Sequence, residues 1–217
     1  MLPSYILILL LHYLPKSVFE FALSFNLPMN YITFDIETYN IDETITRIDP
    51  KNMRVSVIGA YYSWLDKYVA FTEDTVQDFL ESLKLCDIVV GFNHLWFDLP
   101  VLAKYSSWDF GILRSYDILL EVEKKLGFKV KLDDLAKSNL NIKKTDSYEH
   151  FRYYHRDGKW LELIDYCMND VLITEKLFGL ILQGQPLKYA DMLQIREVTL
   201  DLPKTGSQTS IQVDSLF

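Results

Sequence analysis

Two acidic residues interrupt a stretch of aromatic and β-branched side chains, YITFDIETYN, near the start of the chain. The stretch is typical of a β-strand, in which Asp35 and Glu37, two positions apart, lie on the same face. Neighbouring carboxylates repel each other and resist burial unless a positive charge compensates them. A metal ion would supply that charge. For these two residues taken alone, the alternative is that both acids are exposed to solvent and bind no ion.

Two further acids stand in recognisable surroundings. VVGFNHLWFDLP places Asp98 after a buried-strand pattern, at the start of the following helix, with Asn93 five residues earlier in the connecting loop. YCMND places Tyr166 and Asp170 four positions apart, on one face of a later helix. Considered alone, Asp98 is interpreted as a helix cap and Tyr166 as a tyrosine that packs against the core. Together, one strand, one helix start and one later helix can bring four carboxylates and a tyrosine to one place.

Hydrophobic periodicity predicts the elements that must position these residues. Three consecutive strand-like runs suggest an antiparallel meander, and helices and strands alternate after it. The predicted strands cover residues 31–38, 55–62 and 68–72, then DIVVGF and RSYDIL; the predicted helices are TVQDFLESLK, one beginning at residues 98–100, one ending at Lys125, LDDLAKSNL, and a long amphipathic helix from about Trp160 to Leu182.

Length and composition favour one globular domain. The chain has 217 residues, of which 49% are hydrophobic and 24% charged, enough for one well-buried core but not for two. Cys86 and Cys167 form neither a CxxC pair nor a disulfide framework. We therefore expect a reducing, cytoplasmic setting and no structural zinc.

The two ends of the chain differ from the middle. Residues 1–28 contain an apolar run too short to span a bilayer, with no basic region before it, and Met29 directly precedes the first clean strand. We interpret residues 1–28 as a dispensable extension, with an interfacial helix as the alternative, and expect no stable membrane association. The domain is predicted over residues 29–183, followed by a less regular tail over residues 184–217.

The charge of the chain is unevenly distributed. The net charge of -8 argues against a broad, sequence-independent grip on nucleic acid, because such binding depends on Lys and Arg neutralising phosphates. However, residues 124–159 contain ten basic and five acidic residues, so this basic segment carries +5 and the remainder -13. Aromatic residues are interleaved in and beside it, which suits backbone contacts and base stacking; a solvated face is the alternative. These aromatic residues are Tyr148, Phe151, Tyr153, Tyr154 and Trp160.

The order and spacing of the acidic motifs resemble a known family. FDIET, then N-x-x-x-FD ending at Asp98, then Y-x-x-x-D ending at Asp170 resemble the three exonuclease motifs of the DEDD superfamily, in the branch with a tyrosine in its third motif. The first motif is especially similar to that of the proofreading 3′-5′ exonuclease domains of family B DNA polymerases. The histidine branch would place His five residues before the last acid, where this chain has Asp165. The resemblance implies an RNase H-like α/β fold, with a mixed five-stranded sheet in order 3-2-1-4-5 flanked by helices.

The same resemblance implies roles for the motif residues. Asp35, Glu37, Asp98 and Asp170 are expected to bind two divalent cations, Mg²⁺ or Mn²⁺, and Tyr166 to position the attacking water. Carboxylates are the hard oxygen ligands that these cations prefer, and such a pair can activate water and stabilise the leaving oxygen of a phosphodiester.

Three further residues are candidates for contact with the terminal nucleotide. Asn93 would act by a hydrogen bond and Phe97 by stacking, although a place in the core is an equal interpretation for Phe97. Thr38, just after the first motif, is a candidate for holding the 3′ end through its hydroxyl and backbone.

We therefore predict a metal-dependent 3′-5′ exonuclease acting on the 3′ end of single-stranded or frayed DNA and releasing nucleoside monophosphates. An RNA 3′-end trimming exoribonuclease is the alternative enzyme, because the same cluster hydrolyses either polymer. A non-catalytic nucleic-acid-binding module with this fold is the alternative from another class. No polymerase motifs follow, so a polymerase, helicase or other targeting protein is the expected partner.

Overall fold

The structure is a computed structural model that describes residues 29–40, 49–142, 154–192 and 194–202. Several regions discussed from the sequence lie outside these ranges. They are the predicted extension over residues 1–28, the part of the basic segment that carries Tyr148, Phe151 and Tyr153, and the end of the chain from residue 203.

A mixed five-stranded sheet forms the centre of the molecule, in the order β3-β2-β1-β4-β5. The first three strands along the chain are antiparallel neighbours, and β4 and β5 run parallel to β1. This arrangement confirms the strand order expected from the sequence. The strands are β1 (Tyr31–Asn40), β2 (Met53–Tyr62), β3 (Lys67–Thr72), β4 (Ile88–Gly91) and β5 (Ser115–Asp117).

Helices connect and cover the strands. Two short helices follow β3 and β4, two more follow β5, and a 23-residue helix crosses the sheet. Neither this long helix nor any other in the described ranges combines the length and apolar character needed to cross a membrane. The helices are α1 (Val76–Ser82), α2 (Asp98–Leu102), α3 (Ile118–Leu126), α4 (Leu132–Leu140) and α5 (Trp160–Leu182).

The central strand β1 is covered on both faces. Ile32, Phe34 and Ile36 point to one face, where they pack with apolar residues of α1 and α2. The alternate residues point toward α5, and there the Tyr31 ring meets Phe178 edge-on at a centroid distance of 5.1 Å. Because side chains alternate along a strand, the acids of FDIET lie on the α5 face.

Gly59 allows α5 to approach the sheet closely. This glycine lies opposite Asp35 in the β1–β2 pair. A Cβ atom at this position would lie 3.0 Å from Val171 Cγ2 and 3.1 Å from Cys167 Sγ, tighter than ordinary van der Waals contact. The missing side chain therefore sets the distance between the long helix and the acidic face of the sheet.

A β-hairpin follows α5, where the sequence predicts a less regular tail. Its strands are β6 (Leu187–Asp191) and β7 (Gln194–Val198). The prediction is wrong here because apolar and polar residues alternate over only five positions, too briefly to be a clear signal. Leu187, Tyr189 and Val198 are buried in the same core as α5, and Lys188 N donates to Asn139 Oδ1 on α4 at 2.7 Å.

We expect the hairpin to contribute to the stability of the domain. Leu187→Ala should lower the free energy of unfolding by about 2–5 kcal/mol, because the 1% exposed side chain would leave a cavity. Ile195→Ala is the matched control on the other strand, since Ile195 is 61% exposed and should change stability by no more than about 0.5 kcal/mol. Urea unfolding of the three proteins checks this; equal midpoints would contradict it.

Candidate active site

The strand that carries the first motif extends beyond its parallel neighbour. β1 pairs with β4 only over Tyr31, Ile32 and Thr33, although its antiparallel pairing with β2 continues to Asn40. From Phe34 onward, the edge of β1 that faces β4 is therefore released from the ladder. The segment that leaves β4 crosses this open edge and brings the second motif to it.

Asp98 lies at the open edge, at the start of α2. It is 3% exposed, and its carboxylate accepts a hydrogen bond from the backbone N–H of Ile36. The preceding loop turns at Asn93, whose φ of 67° is in the left-handed region that Asn tolerates better than most residues. The amides of Trp96 and Phe97 both donate to Asn93 O, at 3.2 and 3.1 Å, and this turn directs the chain back toward β1.

A residue outside the predicted motifs braces this loop. Asp117, buried at the end of β5, accepts hydrogen bonds from Asn93 N at 2.8 Å and Leu95 N at 3.1 Å. The same carboxylate caps α3 by accepting from Leu120 N at 3.2 Å. The cap has a sequence signal, since Asp before an apolar helical run is a common N-cap. The loop contacts have none, because they join residues more than 20 positions apart.

Helix α5 supplies the third motif. Tyr166 and Asp170 occupy successive turns on the side that faces β1, and the Tyr166 hydroxyl donates a hydrogen bond to Asp170. Burial, followed by the charges of Asp170, Glu37 and Asp35, raises the pKa of Tyr166. The phenol is therefore held in its protonated form within the field of three carboxylates.

Asp98 belongs to the same electrostatic cluster. Burial and then the charges of Asp35 and Asp117 raise the pKa of Asp98 well above its ordinary value. The structure thus brings together all five predicted catalytic residues, and we call them the acidic cluster. Its members are Asp35, Glu37, Asp98, Tyr166 and Asp170.

The donor atoms of the acidic cluster suit a divalent cation. Carboxylate oxygens of Asp35 and Glu37 and the sulfur of Cys167 all lie within 4.8 Å of one another. Asp98 Oδ1 is buried without a hydrogen-bond partner among the described residues. An unsatisfied carboxylate oxygen beside further carboxylates is costly without a cation and is what a hard divalent ion requires.

The sequence and the fold identify the family. Residues 32–182, more than half of the chain, match the profile of the RNase H superfamily. The chain belongs to this superfamily. The assignment confirms the RNase H-like fold expected from the motifs, and the matched range includes all five residues of the acidic cluster.

This RNase H-like fold is similar to part of the family B DNA polymerase from the hyperthermophilic archaeon Pyrobaculum calidifontis, with a TM-score of 0.55 and 20% sequence identity. The match covers 73% of this chain but only 26% of the polymerase chain. At this identity the likeness concerns the fold alone. Among curated proteins, none is significantly similar to the chain in sequence.

The candidate substrate residues lie around the RNase H-like site. Thr38 is half-buried and follows a β-bulge, where the pairing of β1 with β2 shifts register after Glu37. Asn93 forms the left-handed turn described above. Phe97 is half-buried and packs against the core, which favours the structural interpretation of its ring. Trp96 stacks on Phe97 at a centroid distance of 6.3 Å and is 48% exposed, so it is the more accessible aromatic side chain of this loop.

The end of β1 is fastened to the turn before α5. The Tyr39 ring stacks on the imidazole of His155, with centroids 4.0 Å apart. Ser56 Oγ lies 3.1 Å from His155 Nδ1, and the Tyr39 hydroxyl donates to Glu73 Oε2 at 3.1 Å. Tyr39 is two residues from Glu37 in the strand. These contacts therefore hold the carboxyl end of the basic segment close to the acidic cluster of the RNase H-like domain.

We expect Asp98→Asn to stabilise the metal-free protein at neutral pH. The folded-state pKa of Asp98 lies above its unfolded value of about 3.9, so its contribution to stability is complete below that pH and is lost as the pH rises through the folded-state pKa. Asn keeps an oxygen for the Ile36 amide but carries no charge. The melting temperature in EDTA should therefore exceed that of the wild type at neutral pH.

The two proteins should converge at a pH of about 4, where Asp98 is protonated in the folded wild type. Asp165→Asn is the matched control, because Asp165 is an exposed acid next to Tyr166 on α5. Equal melting temperatures for the wild type and Asp98→Asn at neutral pH would show that the buried carboxylate does not destabilise the folded protein.

Proposed function

We propose that the protein is a metal-dependent 3′-5′ exonuclease that hydrolyses phosphodiester bonds at the 3′ end of single-stranded or frayed DNA and releases nucleoside monophosphates. The observation that carries the proposal is the convergence of four carboxylates and a tyrosine on the edge of β1 that β4 leaves open. Three separate elements of an RNase H-like fold contribute them, in the order of the DEDD exonuclease motifs.

The four carboxylates are the proposed ligands of two Mg²⁺ or Mn²⁺ ions. When bound, such a pair supplies an activated water on one side of the phosphodiester and stabilisation of the leaving 3′ oxygen on the other. Asp35 and Glu37 extend from a strand in the centre of the sheet, and Asp98 is fixed by the loop that Asp117 braces. Rigid attachment of this kind holds ligands in one geometry and lowers the cost of reorganisation during the reaction.

Tyr166 acts in this proposal as a positioning residue that stays protonated. Its raised pKa excludes a role as general base at neutral pH, because the phenolate would not form. Its proton is directed to Asp170, so the phenol oxygen keeps its lone pairs for a hydrogen bond from the attacking water. Tyr166 thereby orients the water while the carboxylates bind the ions.

The basic segment is the proposed contact for the nucleic-acid backbone. The carboxyl end of this segment is held beside β1 by the stacking of His155 on Tyr39. Arg156 and Lys159 follow His155 in the turn that precedes α5, the helix that carries Tyr166. Basic residues just before the helix that carries Tyr166 support a phosphate-bearing substrate despite the net charge of -8.

We propose DNA as the polymer by analogy with the DNA polymerase that shares this fold and with the motif order of the proofreading exonucleases. We propose that a polymerase, a helicase or another targeting protein brings the domain to its substrate. The alternative is an enzyme that trims RNA 3′ ends by the same chemistry. Cleavage of RNA and not of DNA in the test below would support it.

The proposal is tested with single-stranded DNA and RNA of the same sequence, each labelled at its 5′ end, in Mg²⁺, Mn²⁺ or EDTA. We expect a ladder that shortens from the 3′ end of DNA, requires metal and is absent for Asp35→Ala. Asp165→Ala is the matched control and should retain activity, since Asp165 is exposed on the same helix as Tyr166. Activity in EDTA, or in Asp35→Ala, would remove the metal cluster from the mechanism; cleavage of neither polymer would favour a binding module.

Tyr166→Phe separates positioning from metal binding. We expect kcat to fall by about 10- to 1,000-fold, the scale of losing one positioned hydrogen bond to the reacting water. The metal concentration that gives half-maximal activity should be unchanged, because the four carboxylates remain. Steady-state kinetics against Mg²⁺ concentration checks both quantities. An unchanged kcat would assign Tyr166 to packing alone.

A further inference from the structure

A thiol lies inside the acidic cluster. Cys167 is fully buried on α5, and its Sγ is 3.3 Å from Asp35 O and 3.9 Å from Asp35 Oδ2. The amide of Gly59 donates to the same sulfur at 3.1 Å. The thiol is therefore held in a fixed position by β1 and β2, next to the carboxylate that the proposed mechanism depends on.

The arrangement of donor atoms suits one ion in contact with sulfur and oxygen together. The sulfur of Cys167 and carboxylate oxygens of Asp35 and Glu37 lie within 4.8 Å of one another. Bonds from zinc to sulfur and to carboxylate oxygen are about 2.3 and 2.1 Å, so two such ligands of one ion are at most about 4.4 Å apart. Small side-chain rotations would bring all three atoms within bonding distance of one cation.

A buried carboxylate beside this group of three also points to a ligand at this place. Asp98 is 3% exposed, and its Oδ1 has no hydrogen-bond partner among the described residues. Its carboxylate interacts with that of Asp35, which is the residue that Cys167 contacts. Asp35, Glu37 and Cys167 are thus three protein donors with a further carboxylate beside them, and three protein ligands with a fourth position open to water is a common arrangement around Zn²⁺.

We propose that Cys167 makes the acidic cluster a mixed thiolate and carboxylate site for thiophilic divalent cations, and that Zn²⁺ bound there displaces the hard cations and inhibits the enzyme. The thiol proton is released to solvent as the metal–sulfur bond forms. Soft thiolate ligands favour Zn²⁺ over Mg²⁺ and Mn²⁺, which prefer oxygen. The inhibition rests on the proposed nuclease function, whereas the binding of the ion by Cys167 does not.

Cys86 provides a matched control on the other side of the sheet. It is half-buried, packs against the core beside α1, and its thiol donates to Leu83 O at 3.3 Å. Among the described residues it belongs to no group of acids or histidines with metal-binding spacing. Cys86→Ser removes a thiol from the protein without touching the acidic cluster.

The first experiment is a titration of the full chain with Cd²⁺, used as a spectroscopic probe for Zn²⁺. We expect an ultraviolet cadmium–thiolate charge-transfer band that saturates at one ion per chain in the wild type and in Cys86→Ser. The band should be absent in Cys167→Ser, and Mg²⁺ should produce none in any protein. A band of equal strength in Cys167→Ser, or none in the wild type, would overturn the proposal.

A second variant keeps the test decisive if Cys167→Ser does not fold. Asp35→Asn retains the thiol and removes one charged oxygen ligand, so it should weaken Cd²⁺ binding by about 10-fold or more, as measured from the same band. Unchanged affinity in Asp35→Asn would show that the thiol binds cadmium without the acidic cluster and would contradict the mixed site.

Nuclease assays separate this proposal from the proposed function. In Mg²⁺, the Zn²⁺ concentration that halves the rate should be about 10-fold or more higher for Cys167→Ser than for Cys86→Ser. A Cys167-dependent cadmium band in a protein without nuclease activity would support the metal site and refute the exonuclease. Equal Zn²⁺ inhibition of both variants would support the exonuclease and refute the role of Cys167.

Discussion

Carboxylates gathered at one edge of a central strand repel one another, and the surrounding structure must overcome this repulsion. Burial and then neighbouring negative charges disfavour the ionised form, and both raise the pKa values of Asp98 and Tyr166. In the unfolded chain these carboxylates would lie apart and be hydrated. The acidic cluster persists because the surrounding elements are packed well enough to hold it.

Each of those elements opposes the repulsion in a different way. The ladder from β3 to β5 fixes β1 in the middle of the sheet, and the early end of its pairing with β4 opens the edge at which Asp98 lies. Asp117 prevents the intervening loop from relaxing by binding two of its amides. On the other face, the absence of a side chain at Gly59 lets α5 bring Tyr166 and Asp170 close to β1. The fold therefore provides a preorganised set of oxygen atoms that a divalent ion can neutralise.

The thiol of Cys167 adds a second consequence of this close packing. Burial, then the charges of Asp35 and Glu37, raise the pKa of the thiol, so it remains a neutral neighbour of the carboxylates when no ion is bound. A hard cation has little affinity for such a group and can use the oxygens alone, whereas a thiophilic cation can use all of them. The same close approach of α5 that assembles the acidic cluster thereby exposes it to competition between cations.

The sequence by itself determined the order of the elements and the identity of the acidic cluster. Alternation placed Asp35 and Glu37 on one face, and helical spacing did the same for Tyr166 and Asp170, because both are local properties of strands and helices. The motif order then indicated the RNase H-like fold, which the sheet order confirmed. Only the tertiary structure decided the brace at Asp117, the contact of Cys167 with Asp35 and the packing of the β6–β7 hairpin. These contacts join residues separated by 24 positions for Asn93 and Asp117 and by 132 positions for Asp35 and Cys167, and no local periodicity records which distant side chains will meet.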